Sequence, residues 1–176
     1  MKIVFLDIDG VLQPYDSDNR FYEINAKTKK LVMELSEKYN IDYSQYSIYD
    51  ILATYYDWND DAISRLKHIL SITSSKIIIT SDWRSNKYPY KMRDLLTIKS
   101  LGDYWLADNI IKEDINLSTI KRVLEIKDTL SKFPIDNYVI LDDMKDLKNH
   151  FPDNTVITND YISISDMDKC IKILKK

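Results

Sequence analysis

Short apolar runs that end in polar residues recur along the chain, and each predicts a buried strand. Runs of this length without polar alternation are typical of strands covered on both faces. The clearest runs span residues 2–6, 76–80 and 138–141, and weaker ones span 109–111 and 155–158. Apolar residues at helical spacing predict helices between them, over 25–39, 61–70, 118–133 and 165–175. Strands that alternate with helices predict an α/β fold with a central parallel sheet and right-handed crossovers.

Residues 13–58 do not follow this alternation. They hold eight of the 13 tyrosines of the chain. We interpret the segment as a small insert after the first strand of a single domain spanning 1–176. Its tyrosines could stack on a base or ring of a ligand, or the segment could pack on the core as a helix with loops.

Composition narrows the class of protein. A chain of 176 residues with a net charge of −3 suits one globular domain and lacks the basic footprint of a protein that grips many phosphates. One cysteine, Cys170, and two histidines argue against a disulfide framework and a zinc site. No apolar run is long enough to cross a membrane and no signal peptide precedes the first strand, so we expect a cytoplasmic protein. No protein partner is predicted.

The ends of three predicted strands carry oxygen-bearing side chains. Because the carboxyl ends of parallel strands meet at one edge of a sheet, we expect these side chains to lie together. Negative charges that lie so close together repel unless a cation lies among them. Oxygen ligands favour Mg²⁺, whose coordination is usually completed by a substrate phosphate. The alternative is that these are ordinary polar strand ends leading into turns. The side chains are those of Asp7, Asp9, Thr80, Ser81, Asp142 and Asp143.

The same segments resemble a known superfamily. FLDIDGVL at 5–12 matches the hhhDxDGxh signature of haloacid dehalogenase (HAD) proteins, IIITS at 77–81 resembles their second motif, and VILDD at 139–143 resembles their fourth. TSDWR at 80–84, RVLEI at 122–126 and YVILDDM at 138–144 are similar to the small HAD phosphatases associated with RNA repair. The resemblance implies a HAD-like Rossmannoid three-layer sandwich. It also implies a Mg²⁺-dependent phosphatase whose substrate is a phosphorylated small molecule, a nucleotide or a nucleic acid end.

The resemblance also assigns roles to residues of the first motif. Asp7 would be the nucleophile that takes the phosphoryl group as an aspartyl-phosphate. Asp9 would protonate the leaving oxygen and then activate water. Gly10 would allow the turn that brings backbone N–H groups toward phosphate.

The later motifs would supply phosphate and metal ligands. Ser81 or Thr80 would donate a hydrogen bond to a phosphoryl oxygen. Asp142 and Asp143 would hold Mg²⁺ together with Asp7 and the main-chain carbonyl of Asp9.

The third motif of the superfamily requires a cation on a later helix. Lys121, Arg122 and Lys127 are the candidates, and Lys127 lies about 9 Å further along the helix than Lys121. That favours Lys121 or Arg122, and because lysine is the usual residue in the superfamily we expect Lys121 first. All three could instead be solvated helix charges.

The residues after the second motif have two interpretations. Arg84 could bind a substrate phosphate or carboxylate through its planar guanidinium, or it could form a structural salt bridge. We interpret Trp83 and Trp58 as packing residues.

A binding module is the alternative to an enzyme. A phospho-acceptor receiver domain also combines acids, Ser or Thr, Lys and Mg²⁺ on a parallel sheet, and it holds its phosphate without turnover. Receivers place an acid pair after the first strand and the acceptor on a middle strand, whereas here the middle run ends in Thr80 and Ser81. Dehalogenases generally lack the second acid, and Asp9 is present.

Overall fold

A computed structural model of the chain describes residues 1–24, 27–108 and 118–176, and of Ser118 and Thr119 it describes the main chain only. Within these ranges the strands are β1 Lys2–Leu6, β2 Lys76–Ile79, β3 Trp105–Asp108, β4 Asn137–Asp142 and β5 Thr155–Ile157. The helices are α1 Asn19–Tyr22, α2 Thr28–Tyr39, α3 Ile48–Leu52, α4 Asp60–Thr73, α5 Lys91–Ile98, α6 Ser118–Lys132, α7 Leu147–His150 and α8 Ile164–Leu174. Two short 3₁₀ turns, Tyr43–Gln45 and Gly102–Tyr104, and a π-helical turn, Ala53–Asp57, complete the elements.

The five strands form one parallel sheet in the order β3-β2-β1-β4-β5. The chain moves outward from β1 to β3 and then returns to the other side of β1 as β4. The strand order therefore reverses between β1 and β4, and ligands of such sheets bind beyond the strand ends at this point.

The register aligns the residues that follow the central strands. Leu6 of β1 lies opposite Ile79 of β2 and Leu141 of β4. The ladder continues one residue further, because the Asp7 amide donates to the Leu141 carbonyl at 3.1 Å and the Thr80 amide to the Leu6 carbonyl at 2.9 Å. Asp7, Thr80 and Asp142 consequently sit side by side at one edge.

The sheet is covered on both faces, as the unbroken apolar runs predict. Alternate side chains of β1 point to opposite faces. Val4 and Leu6 face a core shared with α2, α4, α5 and α8, while Ile3 and Phe5 face a second core shared with α6 and α7. The predicted three-layer α/β sandwich is confirmed.

The predicted elements differ from the observed ones mainly at their ends. α4 extends to Thr73, and the Asn59 side chain caps it by accepting from the Ala62 amide at 2.9 Å. The predicted strand at 109–111 lies outside the described residues, and β3 is found immediately before it. α5 has no counterpart among the predicted helices.

The segment 13–58 packs largely on the core. Tyr43 and Tyr46 are buried, and their hydroxyls donate to the main-chain oxygen and the carboxylate of Asp94 on α5, at 2.7 and 2.6 Å. The exposed tyrosines of the segment are Tyr15, Tyr22, Tyr49, Tyr55 and Tyr56. Among the described parts of the chain, no helix combines the length and the apolar character that crossing a membrane requires.

Candidate active site

A buried ion triad lies where the strand order reverses. The Arg122 guanidinium, carried by α6, donates through Nη1 to Asp7 Oδ2 at 3.0 Å and to Asp142 Oδ2 at 2.7 Å. The three side chains are only 6%, 7% and 0% exposed, so this pairing is largely shielded from solvent. One guanidinium thus offsets part of the charge of two strand-end carboxylates.

Burial dominates the electrostatics of this triad. It raises the pKa of Asp7, against the attraction of Arg122, and it raises the pKa of Asp142 to about 7, again opposed by Arg122. Burial by itself lowers the pKa of Arg122, but the two carboxylates outweigh that effect and raise it. Arg122 therefore stays charged.

The second predicted motif reaches Asp7 from β2. Against the larger effect of burial, hydrogen bonding from the Ser81 side chain and from the Ile8 backbone lowers the pKa of the Asp7 carboxyl. The Thr80 hydroxyl is buried and has no hydrogen-bond partner among the described residues. Of the two hydroxyls, Ser81 is the one in contact with the carboxylate of the predicted nucleophile.

A third acid joins the two buried ones. Asp7, Asp142 and Asp143 each offer a carboxylate oxygen within 4.8 Å of the others. Asp142 Oδ1 also accepts from the Met144 amide at 2.9 Å, and the hydroxyl of exposed Tyr15 donates to Asp143. When ionised, these three acids exceed the single charge of Arg122 by two. A hard dication that prefers oxygen ligands, such as Mg²⁺, fits both the charge and the donor set.

Asp9 lies on the solvent side of the same edge and is exposed, unlike Asp7. The indole Nε1 of Trp83 donates to Asp9 Oδ2 at 2.9 Å, and Gln13 Nε2 donates to Asp9 Oδ1 at 3.1 Å. Its side chain does not belong to the group of three acids that could share a metal ion.

Gly10 turns the chain back on itself after the two acids. Its φ of +69° lies in the left-handed region that glycine adopts most readily. A Cβ there would lie 2.5 Å from the Tyr15 hydroxyl oxygen and 3.0 Å from the Asp143 Cβ. The Gly10 carbonyl accepts from the Thr158 hydroxyl at 2.6 Å, so the residue that follows β5 anchors the turn.

The sequence model of the family described as "HAD domain in Swiss Army Knife RNA repair proteins" matches residues 3–168. The chain belongs to this family. The resemblance of its three strand-end motifs to HAD proteins is therefore confirmed. Searches of curated proteins and of solved structures returned no match for the chain.

The three basic candidates on α6 of this HAD domain have different environments. Arg122 lies between the buried acids, whereas Lys121 is half-buried and makes no hydrogen bond or ion pair within the described residues. Lys127, further along α6, is exposed. The geometry therefore favours Arg122 over Lys121 as the cation of the third motif.

Arg84 of this HAD domain is buried in a salt bridge. Its side chain is 7% exposed, and Nη2 lies 3.0 Å from Oε2 of Glu125, one helical turn after Arg122 on α6. Its Nε donates to the Ser81 carbonyl at 2.6 Å. Arg84 thus ties the loop after β2 to the helix that carries Arg122.

The remaining residues of the site were not predicted from the sequence. Gln13 and Glu125 have no predicted role, Tyr15 is predicted only as one of the tyrosines that could stack on a ligand, and Trp83 is interpreted as a packing residue. Trp83 does pack against Trp58, with ring centroids 5.8 Å apart, but its N–H also reaches Asp9. The available signals were the position of Trp83 two residues after Ser81 and that of Gln13 four residues after Asp9.

Proposed function

We propose that this HAD domain is a Mg²⁺-dependent phosphomonoesterase that works through an aspartyl-phosphate on Asp7. The supporting observation is the pair of acids two residues apart: Asp7 is buried against Arg122 and Ser81, and Asp9 is exposed. This division suits a nucleophile held beside a phosphate and a proton carrier held beside solvent.

In the first step, an Asp7 carboxylate oxygen forms a bond to phosphorus as the bond from phosphorus to the leaving oxygen breaks. Asp9 gives its proton to that oxygen, which departs as an alcohol. Arg122 and Ser81 are placed to orient Asp7 and to donate to phosphoryl oxygens, because both already contact the Asp7 carboxylate. When bound by Asp7, Asp142, Asp143 and the Asp9 carbonyl, Mg²⁺ would offset the negative charge of the phosphoryl group.

In the second step, Asp9 takes a proton from water. The water oxygen forms a bond to phosphorus as the Asp7–phosphorus linkage breaks. Inorganic phosphate leaves, Asp7 returns as a carboxylate, and Asp9 is again protonated.

The substrate we propose is a nucleotide or a phosphate at a nucleic acid end. The family is named for RNA repair proteins, and the net charge of −3 favours small substrates or short ends over long polymers. A panel of nucleotides, sugar phosphates and oligonucleotides phosphorylated at the 3′ or 5′ end, assayed with and without Mg²⁺, separates these classes.

The decisive experiment compares wild type with Asp7→Asn on an aryl phosphate in the presence of Mg²⁺. We expect the variant to lose activity by about 10³-fold or more, because asparagine is not a competent nucleophile. Asp82→Asn is the matched control: Asp82 is an exposed acid next to Ser81 that makes no hydrogen bond or ion pair in the described parts of the chain.

Equal rates for wild type and Asp7→Asn would contradict the proposal. Labelling with acetyl phosphate covers the binding-module alternative. Stable phosphorylation of Asp82 or Asp142 without turnover would replace the phosphatase with a phospho-acceptor domain.

A further inference from the structure

The carboxylate of Asp9 is held at both of its oxygens. Trp83 Nε1 donates to Oδ2 at 2.9 Å and Gln13 Nε2 donates to Oδ1 at 3.1 Å. A carboxylate offers about four lone-pair sites, so one position on each oxygen stays open for a proton. The two bonds therefore fix the direction of Asp9 without blocking its chemistry.

Both donors are themselves restrained. Gln13 is 6% exposed and closes the turn after β1. Its main-chain carbonyl accepts from the Gly10 amide at 2.8 Å, and its main-chain N–H donates to the Ile8 carbonyl at 3.0 Å. The Trp83 ring packs at 5.8 Å and 56° against Trp58, which is buried. An exposed acid is thus aimed by two groups that have little freedom of their own.

One short segment serves both acids of the site. Ser81 is hydrogen-bonded to Asp7, Trp83 donates to Asp9, and Arg84 fastens the segment to Glu125 on α6. Movement of this loop would therefore displace the two carboxylates relative to each other.

On the basis of the proposed function, we infer that Trp83 is the positioning residue that aims Asp9 at the leaving oxygen of the substrate, with Gln13 as its second support. Trp83 acts through Asp9, so its contribution is confined to steps in which Asp9 moves a proton. This predicts an effect that depends on the leaving group. An alkoxide must be protonated as it departs, whereas a nitrophenolate leaves readily without a proton.

The test compares kcat/KM of wild type and Trp83→Phe for p-nitrophenyl phosphate and for an alkyl phosphate such as glycerol 2-phosphate. This ratio reports the steps up to the release of the alcohol, so water activation by Asp9 in the second step does not enter. We expect Trp83→Phe to lose about tenfold or more on the alkyl phosphate and less than about twofold on the aryl phosphate. Gln13→Met should show the same pattern more weakly.

Trp58→Phe is the matched control. It also trades an indole for a phenyl ring in the same aromatic pair, but the buried Trp58 Nε1 has no hydrogen-bond partner among the described residues. We expect it to change both substrates by the same factor, because it removes packing and no bond to Asp9.

Equal losses on the two substrates in Trp83→Phe would overturn the inference and leave the phosphatase intact. A leaving-group dependence in Trp58→Phe as strong as that in Trp83→Phe would do the same, because Trp83 and not Trp58 donates to Asp9. A wild-type protein without phosphatase activity would overturn the proposed function and this inference with it. If Trp83→Phe does not fold, the indole N–H resonances of wild type and Asp9→Ala decide. The inference expects one indole proton to shift on removal of Asp9, and three unchanged indole signals would contradict it.

Discussion

The carboxylates in the two halves of the candidate site have opposite environments. In the inner half, formed by Asp7, Arg122 and Asp142, carboxylates are buried and paired with a full positive charge. In the outer half, formed by Asp9, Gln13 and Trp83, a carboxylate is exposed and held by two neutral donors. Acids two residues apart on one strand end thus meet different surroundings, and such differences separate the roles of paired carboxylates.

The comparison predicts that activity depends on both halves, whereas folding stability depends chiefly on the inner one. A buried carboxylate that stays ionised without its counter-charge destabilises the folded protein. An exposed carboxylate is solvated with or without its partners.

Among substitutions in the outer half, Asp9→Asn carries the largest expected effect on activity. We expect kcat to fall by about 10²–10⁴-fold, because asparagine cannot transfer a proton. The free energy of unfolding should change by about 1 kcal/mol or less, since the side chain is exposed and asparagine keeps one acceptor for its donors. Steady-state kinetics and urea unfolding of one preparation measure both quantities. A large loss of stability would mean that the outer half is structural.

Arg122→Met should have the largest effect on stability. Its removal leaves the buried carboxylates of Asp7 and Asp142 without their shared guanidinium, and we expect a loss of about 3–5 kcal/mol in metal-free buffer. Lys121→Met is the control on the same helix, with an expected change within about 0.5 kcal/mol. If the two variants were equally destabilised, Arg122 could not be the specific partner of the inner acids.

Asp108 tests whether burial alone, without a hydrogen-bonded cation, makes folding stability depend on the ionisation of an acid. This residue ends β3, and burial raises its pKa to about 6, although the Trp105 indole, Arg84 and Lys91 oppose the rise. An acid with a raised folded-state pKa stabilises the fold fully only at low pH, and that stability is lost as the pH rises through about 6.

Asp108→Asn should therefore match wild type near pH 3 and exceed it by about 2–3 kcal/mol near pH 8. Asparagine keeps the oxygen that accepts from Trp105 at 2.7 Å and does not ionise. Denaturant unfolding of both proteins across this range measures the difference. A gap that did not change with pH would show that Asp108 has the same pKa in the folded and unfolded chain.

The sequence was sufficient to predict those elements that a continuous run of residues marks. The first strand has its predicted bounds at Lys2 and Leu6, because an unbroken apolar run can only be buried. The meeting of the acids after β1 and β4 also follows from sequence, because parallel strands present their carboxyl ends at one edge. The third strand did not follow in this way. Trp105–Asp108 is a strand because it pairs with β2, and the strand predicted from the apolar residues at 109–111 lies outside the described residues.

Sequence patterns alone could not decide between Lys121 and Arg122 as the cation of the third motif. Neighbouring residues on a helix point about 100° apart, so their order along the chain does not say which one faces the sheet. The rotation of α6 is set by Val123 and Ile126, which bury themselves against the sheet and carry Arg122 inward.

By itself, the sequence determined the parallel α/β sandwich, the HAD motifs and the presence of acids at one edge, because apolar runs and their alternation with helical segments can be read along the chain. Only the tertiary structure decided how each acid is surrounded. Trp83 meets Asp9 across 74 positions and Arg122 meets Asp7 across 115, and contacts at such separations are set by the packing of whole elements. The neighbours that distinguish the environments of Asp7 and Asp9 are therefore products of the fold.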